Sequence, residues 1–171
     1  MKIASLPPVK LVRIPDADAL NVRLLERFQS LLDSPDIRRS HFFHGRHENL
    51  YIDRERIPEV LPLIAAGEKA ALQILNRSDP LRCGYWFNQM GPVHQTSLHT
   101  HDEDDELLSA VYYVTAPENS GDLVIEATPV TIRVRPSPGL MVLFPPDLPH
   151  AVDTNESTQG RLSVAFNFGP T

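Results

Sequence analysis

The sequence has little cysteine, no long apolar run and no excess of basic residues, and each shortage excludes a class of protein. Cys83 is the only cysteine, so no intrachain disulfide can form and a reducing, cytoplasmic setting is expected. No stretch approaches the roughly 20 apolar residues of a membrane helix, and residues 1–8 lack the apolar core of a secretory signal. The 16 Lys and Arg against 22 Asp and Glu give a net charge of -6, without the basic clusters of nucleic-acid-binding proteins.

The rest of the composition suits one folded domain. An apolar fraction of 42% is enough for a hydrophobic core, and 171 residues is a usual length for a single domain. Residues 1–80 mix helical and extended patterns, whereas residues 81–169 consist of short β-prone runs. Because no linker separates the two parts, we predict one domain over residues 1–171, with a helical N-terminal part (1–80) and a β core (81–169).

Apolar spacing predicts two helices, and strand signals dominate after residue 80. Apolar residues recur at steps of three and four from Leu20 to Leu32, which predicts a helix over residues 17–32. A second helix is predicted over residues 58–76, although Gly67 weakens its middle. Short strands are expected near residues 10–14 and within 42–52. Eight more strands are predicted over residues 81–89, 95–101, 107–114, 123–127, 130–134, 140–144, 150–153 and 161–168. Eight short strands separated by turn residues favour a sandwich or barrel, with the helices packed on one sheet.

The clearest functional motif is His99-Thr100-His101. Residues two apart in a strand point to the same face, so both imidazoles could reach one metal ion. His150 is the best candidate for a third ligand, because the proline-rich segment 144–149 restricts the chain just before it. Three protein ligands on one side of an octahedral ion leave three positions open, as Fe(II) oxygenases require. A lone His-x-His is more often surface chemistry, so the metal hypothesis depends on His150 joining the pair.

Arg161 opens the last predicted strand, shortly after His150. Strand alternation puts Arg161 and Ser163 on one face, together with Ala165 and Asn167, and leaves the other face wholly apolar. We expect the apolar face to pack beneath the helices and the polar face to line a wet cavity. Arg161 could there bind a carboxylate through two hydrogen bonds, with Ser163 as a further donor.

Five elements of the sequence, taken in order, resemble the 2-oxoglutarate- and Fe(II)-dependent oxygenases. They are the His-x-His motif, the Tyr112-Tyr113 strand, the Gly-Asp-Leu segment 121–123, the proline-rich segment that ends at His150, and the Arg-x-Ser motif that begins at Arg161. The resemblance covers residues 85–168, about half of the chain. It implies a double-stranded β-helix, also called a jelly roll, with Fe(II) as the metal and 2-oxoglutarate as the co-substrate.

The resemblance also implies a role for individual residues. His99 and His150 would bind the iron, and Arg161 would pair with the distal carboxylate of 2-oxoglutarate, with Ser163 beside it. A tyrosine would donate a hydrogen bond to the same carboxylate. Tyr112 and Tyr113 point to opposite faces of their strand, so only one of them can do so, and Tyr113 is favoured. The implied activity is hydroxylation of a small molecule or peptide, which the sequence does not identify.

The sequence departs from the superfamily at the second ligand position. Most members carry Asp or Glu where His101 stands, although one branch of oxygenases resembles the His-x-His form. A third neutral imidazole leaves the iron with one more net positive charge than a carboxylate would. A second register has His101, Glu103 and His150 as the ligands, with His99 nearby. Both registers remain open, and His99 with His101 is preferred.

Two other functions are compatible with the histidine motifs. A cupin-like metalloenzyme would use three histidines without 2-oxoglutarate, but it would not need Arg161 and Ser163. A non-catalytic jelly-roll binding module would retain no metal and release no succinate. Neither nucleic acid nor a membrane is expected as a partner in any of these three functions.

Several other polar residues near the motifs have simpler interpretations. Asn88 and Gln89 precede the metal motif and are candidates to face the substrate or co-substrate. The acidic run 102–106 is interpreted as a solvated loop. The three histidines of the first half are interpreted as surface or loop residues: His41, His44 and His47.

Overall fold

Strands make up most of the architecture. The computed structural model describes residues 2–43, 45–101 and 105–171. Within these ranges lie two α-helices, α1 (Ala17–Leu31) and α2 (Leu61–Leu75), the second preceded by a 3-10 turn at Pro58–Val60. The same ranges contain twelve strands: β1 (Ile3–Leu6), β2 (Val9–Arg13), β3 (Arg38–Phe43), β4 (Arg46–Tyr51), β5 (Leu81–Met90), β6 (Thr96–His99), β7 (Leu108–Thr115), β8 (Leu123–Ala127), β9 (Val130–Val134), β10 (Leu140–Phe144), β11 (His150–Val152) and β12 (Arg161–Pro170).

The strands form two antiparallel sheets. The larger sheet has the order β1-β2-β10-β7-β12-β5-β4-β3, and the smaller has the order β6-β11-β8-β9. Strands that are distant in sequence therefore lie side by side, as β12 does between β5 and β7. Antiparallel connections that cross between two packed sheets are those of a jelly roll. The mostly-β jelly-roll fold predicted from the sequence is confirmed.

Strand β12 shows how sequence alternation separates the core from the cavity. The side chains of Leu162, Val164, Phe166 and Phe168 are buried in the core that the larger sheet shares with the helices, as the alternation predicts. Helix α2 approaches this face closely, since a Cβ at Gly67 would lie 2.8 Å from Phe168 Cζ. A glycine that weakens the helix therefore permits its close packing on the sheet.

The observed elements differ from the predicted ones in a few places. Strand β1 was not predicted, because its side chains are mostly exposed and show no clear alternation. Strand β6 ends at His99, so His101 follows the strand instead of extending it, and its backbone N–H donates to Pro146 O at 2.8 Å. His41 lies in strand β3 and not in a loop. Neither of the two helices described is long and apolar enough to cross a bilayer.

Candidate functional site

A cavity of about 400 Å³ opens between the two sheets. Most of its polar lining comes from the metal motif, from β12 and from the hairpin formed by β3 and β4. The lining includes His41, Glu48, Asn49, Tyr51, Trp86, Asn88, Thr96, His99, His101, Glu106, Ser109, His150, Arg161, Ser163 and Asn167. The polar face of β12 therefore lines a cavity, as the sequence predicts.

Three histidine side chains meet at one end of this cavity. One ring nitrogen from each of His99, His101 and His150 lies within 4.8 Å of the other two, which makes the group suitable for a single metal ion. The ring centroids of His99 and His150 are 4.3 Å apart, because His99 of β6 pairs directly with His150 of β11. His101 joins them from the segment after β6, with its ring centroid 5.1 Å from that of His150.

Two of these imidazoles are held in the tautomer that a metal needs. His99 Nδ1 lies 2.8 Å from Ser97 O, and His150 Nδ1 lies 2.9 Å from Leu148 O. A carbonyl oxygen can only accept, so Nδ1 carries the proton in both rings and donates it. The Nε2 lone pair of each ring is therefore left for a metal ion, and the backbone fixes the orientation of each ring.

His150 is also held in its neutral form. Its pKa is lowered from 6.5 to about 3, mainly by burial and also by the nearby imidazoles of His99 and His101, while the hydrogen bond to Leu148 opposes this change. Only 5% of the residue is exposed. Metal ions bind neutral imidazole, so His150 is ready to bind a cation throughout the neutral pH range.

The lowered pKa of His150 predicts an acid-sensitive fold in the metal-free protein. His150 has a pKa near 6.5 when unfolded and about 3 when folded, so below pH 6.5 the unfolded state binds more protons. The free energy of unfolding should therefore decrease by about 1.4 kcal/mol for each unit by which the pH is lowered between these two values. Urea unfolding at several pH values measures this slope. The His150→Gln variant should show a shallower slope, and an equal slope in both proteins would contradict the prediction.

Arg161 is a buried cation that has no acidic partner among the described residues. Its residue is 2% exposed, and its side-chain hydrogen-bond partners in the described part of the chain are backbone carbonyls. Nη1 donates to the backbone carbonyls of Ser120 (3.3 Å) and Gly121 (2.7 Å), while Nε is buried without a hydrogen-bond partner in the described part of the chain. Burial lowers the pKa of Arg161, with small opposing effects from Tyr113 and Asp122. A buried, unpaired guanidinium is costly unless an anion reaches it.

A tight turn holds the guanidinium of Arg161 in place. Gly121 has a φ of 91°, and a Cβ at this position would lie 2.2 Å from Asp153 O. Only glycine can therefore bring its carbonyl this close to Arg161 while the chain passes Asp153. The Gly-Asp-Leu segment, which the sequence analysis noted only as part of the resemblance, therefore helps to hold the Arg161 side chain in place.

The two adjacent tyrosines have different environments. Tyr112 faces the helices, where its hydroxyl donates to Asn21 Oδ1 at 2.7 Å. Tyr113 faces Arg161, whose Cζ lies 5.0 Å from the centroid of its ring. The Tyr113 hydroxyl is buried with no partner among the described residues, and burial raises its pKa. Ser163 pairs with Tyr113 across β12 and β7, so both hydroxyl side chains lie on the face that carries Arg161.

The comparisons with known proteins support the same interpretation. A family model described as "Putative 2OG-Fe(II) oxygenase" matches residues 124–167, which include His150 and Arg161. Residues 124–167 are therefore similar to 2-oxoglutarate- and Fe(II)-dependent oxygenases. The matched segment extends from β8 into β12. No curated protein sequence matches the chain significantly.

Solved oxygenase structures share the fold at low sequence identity. A prolyl-4-hydroxylase from Pseudomonas putida has a TM-score of 0.74 at 20% identity, with 94% of this chain and 92% of that chain covered. The α-ketoglutarate-dependent carbocyclase SnoK from nogalamycin biosynthesis has a TM-score of 0.76 at 13% identity, covering 95% and 79%. A prolyl hydroxylase from Trichoplax adhaerens, in complex with a peptide fragment, has a TM-score of 0.70 at 12% identity, covering 94% and 83%.

The residues present fit the cofactor and co-substrate that 2-oxoglutarate- and Fe(II)-dependent oxygenases use. Fe(II) needs clustered nitrogen or oxygen ligands with fixed orientation, and the three histidines supply converging rings, two of which are held by backbone carbonyls. The co-substrate 2-oxoglutarate needs a cation for its far carboxylate, and Arg161 is a buried guanidinium with unused donors. Glu103, the ligand of the second register, lies outside the described residues.

The structure also bears on the other polar residues singled out near the cavity. Asn88 lines the cavity as predicted, but Gln89 points to the other face of β5, where it is exposed. His41 is exposed, as the surface interpretation predicts, but it lies in β3 with a φ of 55° and also lines the cavity. His47 is exposed, as expected, and packs its ring against Phe42. His44 lies outside the described residues.

A buried ion pair in the β4 strand was not predicted from the sequence. Arg46 Nη2 lies 3.2 Å from Glu48 Oε1, and both side chains are about nine-tenths buried. The sequence pattern predicted only a short strand within residues 42–52 and singled out neither residue. The available signal was an Arg and a Glu two residues apart in a β-prone run, which places both on one face of a strand that flanks the core.

Proposed function

We propose that the chain is a hydroxylase that uses Fe(II), 2-oxoglutarate and dioxygen to oxidise a small molecule or peptide. In this proposal His99, His101 and His150 hold the iron, and Arg161 binds the distal carboxylate of 2-oxoglutarate. The observation that carries it is the presence, in one cavity, of a converging histidine triad and a buried guanidinium that pairs with no carboxylate of the described residues. A structural metal site would not need such an arginine.

Arg161, Tyr113 and Ser163 would together bind and orient the co-substrate. The guanidinium supplies charge and a planar pair of donors, which suits a carboxylate. The Tyr113 hydroxyl can satisfy its missing hydrogen bond by donating to the same carboxylate, and its raised pKa keeps it protonated. Ser163 already reaches Asn88 O only at 3.5 Å, so its hydroxyl can turn to a better acceptor. These three contacts would place the keto-acid end of 2-oxoglutarate toward the histidines.

The histidine triad and the cavity walls would position the reactants and exclude bulk water. Fe(II), when bound by the three histidines, would supply the activation of dioxygen that is coupled to the oxidative decarboxylation of 2-oxoglutarate to succinate. The chain contributes fixed imidazole ligands, the carboxylate clamp and an apolar wall that includes Phe144, whose ring centroid lies 4.7 Å from that of His150. Holding the reactants in one geometry and keeping bulk water away are the usual contributions of a protein to such chemistry.

The substrate class in this proposal covers both peptides and small molecules. Two of the similar structures are prolyl hydroxylases, one of them solved with a peptide, and the third is a carbocyclase. The hairpin of β3 and β4 and the neighbouring face of β5 leave room for a substrate beside the histidines. The cavity is open to solvent on the side of His41, which is exposed.

Anaerobic addition of 2-oxoglutarate to the Fe(II)-loaded protein tests the proposed function. A weak visible metal-to-ligand absorption band is expected, because the keto acid binds the metal directly. Admitting air should then yield succinate in proportion to the 2-oxoglutarate consumed. A cupin-like enzyme that does not use 2-oxoglutarate would give neither signal. A protein that binds iron but shows no band and no succinate would therefore rule out the proposal.

The tyrosine pair gives a matched test of the co-substrate site. Tyr113→Phe should weaken 2-oxoglutarate binding by about tenfold, because it removes a hydrogen bond to a charged group. Tyr112→Phe should leave that affinity unchanged but destabilise the fold by about 1–3 kcal/mol, because the buried Asn21 loses its donor. Calorimetric titration with 2-oxoglutarate and urea unfolding measure the two effects. If Tyr112→Phe weakened 2-oxoglutarate binding and Tyr113→Phe did not, Tyr112 would be the co-substrate contact.

A further inference from the structure

Arg46 of β4 connects the two sheets beside the cavity. Within the larger sheet, its guanidinium donates to Glu48 Oε1 (3.2 Å) and to Asn88 Oδ1 of β5 (3.3 Å). The same guanidinium donates to Gln95 O (3.2 Å) and to Thr96 Oγ1 (3.3 Å), where strand β6 of the smaller sheet begins. One side chain therefore joins β4 and β5 of one sheet to β6 of the other.

This link is buried, which restricts its geometry. Both side chains of the Arg46–Glu48 pair are about nine-tenths buried, and Thr96 is 8% exposed. Burial lowers the pKa of Arg46, Glu48 opposes this change, and the nearby positive charge of Arg161 adds to it. A buried ion pair is often no more stabilising than apolar side chains of the same volume. The guanidinium instead provides several donors whose directions are fixed.

Strand β6 is a short edge strand with an irregular pairing. It has four residues and lies at the edge of the smaller sheet, next to β11. Thr96 pairs with Val152 and His99 pairs with His150, and the register shifts between these two pairs. Register is weakly specified in a strand with so few paired positions, so contacts from side chains outside the sheet help to fix it. Arg46 supplies such contacts at the first residue of β6.

The position of β6 determines where His99 presents its ring. His99 is the last residue of this strand, and its Nδ1 lies 2.8 Å from Ser97 O in the same strand. A shift of β6 therefore moves both the backbone of His99 and the carbonyl that orients its imidazole. Functional sites need their side chains held within about 0.5 Å of the productive geometry. A residue that fixes Thr96 therefore contributes to the position of His99.

We propose that Arg46 is a positioning residue for the metal site and acts on His99 through Thr96 and β6. This inference rests on the proposed function, since it takes His99 as a metal ligand. Arg46 contacts neither the metal nor the co-substrate in this proposal. Its role requires the planar group of donors of a guanidinium, because the ammonium of a lysine cannot contact β4, β5 and β6 in the same way. Glu48 compensates the charge of Arg46 and is not itself needed to hold β6.

Two variants separate the link to β6 from the ion pair. Glu48→Gln removes the negative charge but keeps an acceptor for Arg46, so the contacts with β6 remain. The double variant Arg46→Met/Glu48→Gln also removes the guanidinium, without leaving a buried carboxylate unpaired. The difference between these two proteins therefore measures the effect of the link. Arg46→Lys keeps the ion pair and should behave as an intermediate, and it replaces the double variant if that protein does not fold.

Affinity for Co(II), used in place of Fe(II) because it absorbs visible light, is the first measurement. The double variant should bind Co(II) about tenfold more weakly than Glu48→Gln in competition with a metal indicator, which is the lower end of the effect of losing a group that orients a ligand. Its Co(II) absorption spectrum should also change, because His99 is displaced. Tyr112→Phe, which loses a buried hydrogen bond on the helix side, should be less stable yet keep both Co(II) signals. Equal Co(II) affinity in Glu48→Gln and the double variant would overturn the proposal.

Hydrogen exchange in the metal-free proteins gives a second measurement that does not depend on the metal. The amides of residues 96–99 should exchange faster in the double variant than in Glu48→Gln, because β6 has lost its link to the larger sheet. The amides of β8 and β9, farther from β6 in the same sheet, should exchange at equal rates in both proteins. Equal acceleration in all three strands would indicate a loss of overall stability and would contradict a local role for Arg46.

The same measurements separate this inference from the function on which it rests. If the wild-type protein binds neither Co(II) nor Fe(II), the histidines are not a metal site and the proposed function is wrong, whatever the exchange rates show. If the wild-type protein binds Co(II) and 2-oxoglutarate but the double variant equals Glu48→Gln in Co(II) affinity and in exchange, only the role of Arg46 is wrong.

Discussion

Replacing Arg161 with Ala should lower the affinity for 2-oxoglutarate by about 100-fold or more while metal affinity changes only a few-fold. Truncating one partner of a buried, hydrogen-bonded charge pair costs about 2–5 kcal/mol. Arg161 is 2% exposed, and no carboxylate of the described residues forms an ion pair with it, so its charge is available to the carboxylate of 2-oxoglutarate. Arg161 is not one of the three residues proposed to hold the metal ion, so the metal site should keep its geometry.

Calorimetric titration of the Zn(II)-loaded proteins with 2-oxoglutarate measures the effect of Arg161. Arg161→Lys is a graded variant, because Lys keeps the charge but cannot form two parallel hydrogen bonds, and it should show an intermediate affinity. Arg133→Ala is the matched control, since Arg133 is exposed and its ion pair with Asp153 lies at the surface. Unchanged 2-oxoglutarate affinity in the Arg161→Ala protein would show that the assignment of the carboxylate clamp is wrong.

Replacing His99 with Ala should lower the affinity for Fe(II) by at least about 100-fold, whereas Glu103→Gln should leave it unchanged. Mutation of a group that only orients a metal ligand typically lowers metal affinity by about 10–100-fold. Removal of a ligand itself should therefore lower it by at least about 100-fold. The ring of His99 is held by Ser97 O with its Nε2 lone pair available, and it lies next to His150. These contacts favour the register of His99, His101 and His150.

Anaerobic competition between each variant and a metal indicator measures the change in Fe(II) affinity. His41→Ala is the control for a cavity histidine outside the triad, because its Nδ1 is engaged with Ser40 and Asn49. The reverse result, with loss in Glu103→Gln and little change in His99→Ala, would establish the second register. Unchanged Fe(II) affinity in both variants would mean that neither His99 nor Glu103 is a metal ligand.

The second half of the chain was predictable because its patterns are local. The boundaries of β8, β9 and β10 agree with the sequence expectation, since a Gly or Pro lies within two residues of both ends of each run. The alternation in β12 correctly predicted which side chains are buried with the helices and which line the cavity. Period-two alternation and turn residues depend on near neighbours, so one sequence is enough to interpret them.

The first half was harder to predict because its important contacts are distant in sequence. Arg46 binds Asn88 and Thr96, about 40 and 50 residues away, and no local pattern indicates such partners. His41 has an unusual backbone conformation within β3 that brings its ring to the cavity, which strand propensity does not predict. The choice between Tyr112 and Tyr113 also depended on which face of β7 the helices cover.

The sequence by itself determined the jelly-roll fold, the histidine and arginine motifs and a resemblance to the 2-oxoglutarate- and Fe(II)-dependent oxygenases, because strand alternation and motif order are properties of the chain. Only the tertiary structure decided that β6 and β11 bring His99 beside His150, that Arg161 is buried with no carboxylate of the described residues paired to it, and that Arg46 and Glu48 form a buried ion pair. These features arise where strands far apart in sequence become neighbours. Their positions depend on pairing and packing across the two sheets, which no single segment specifies.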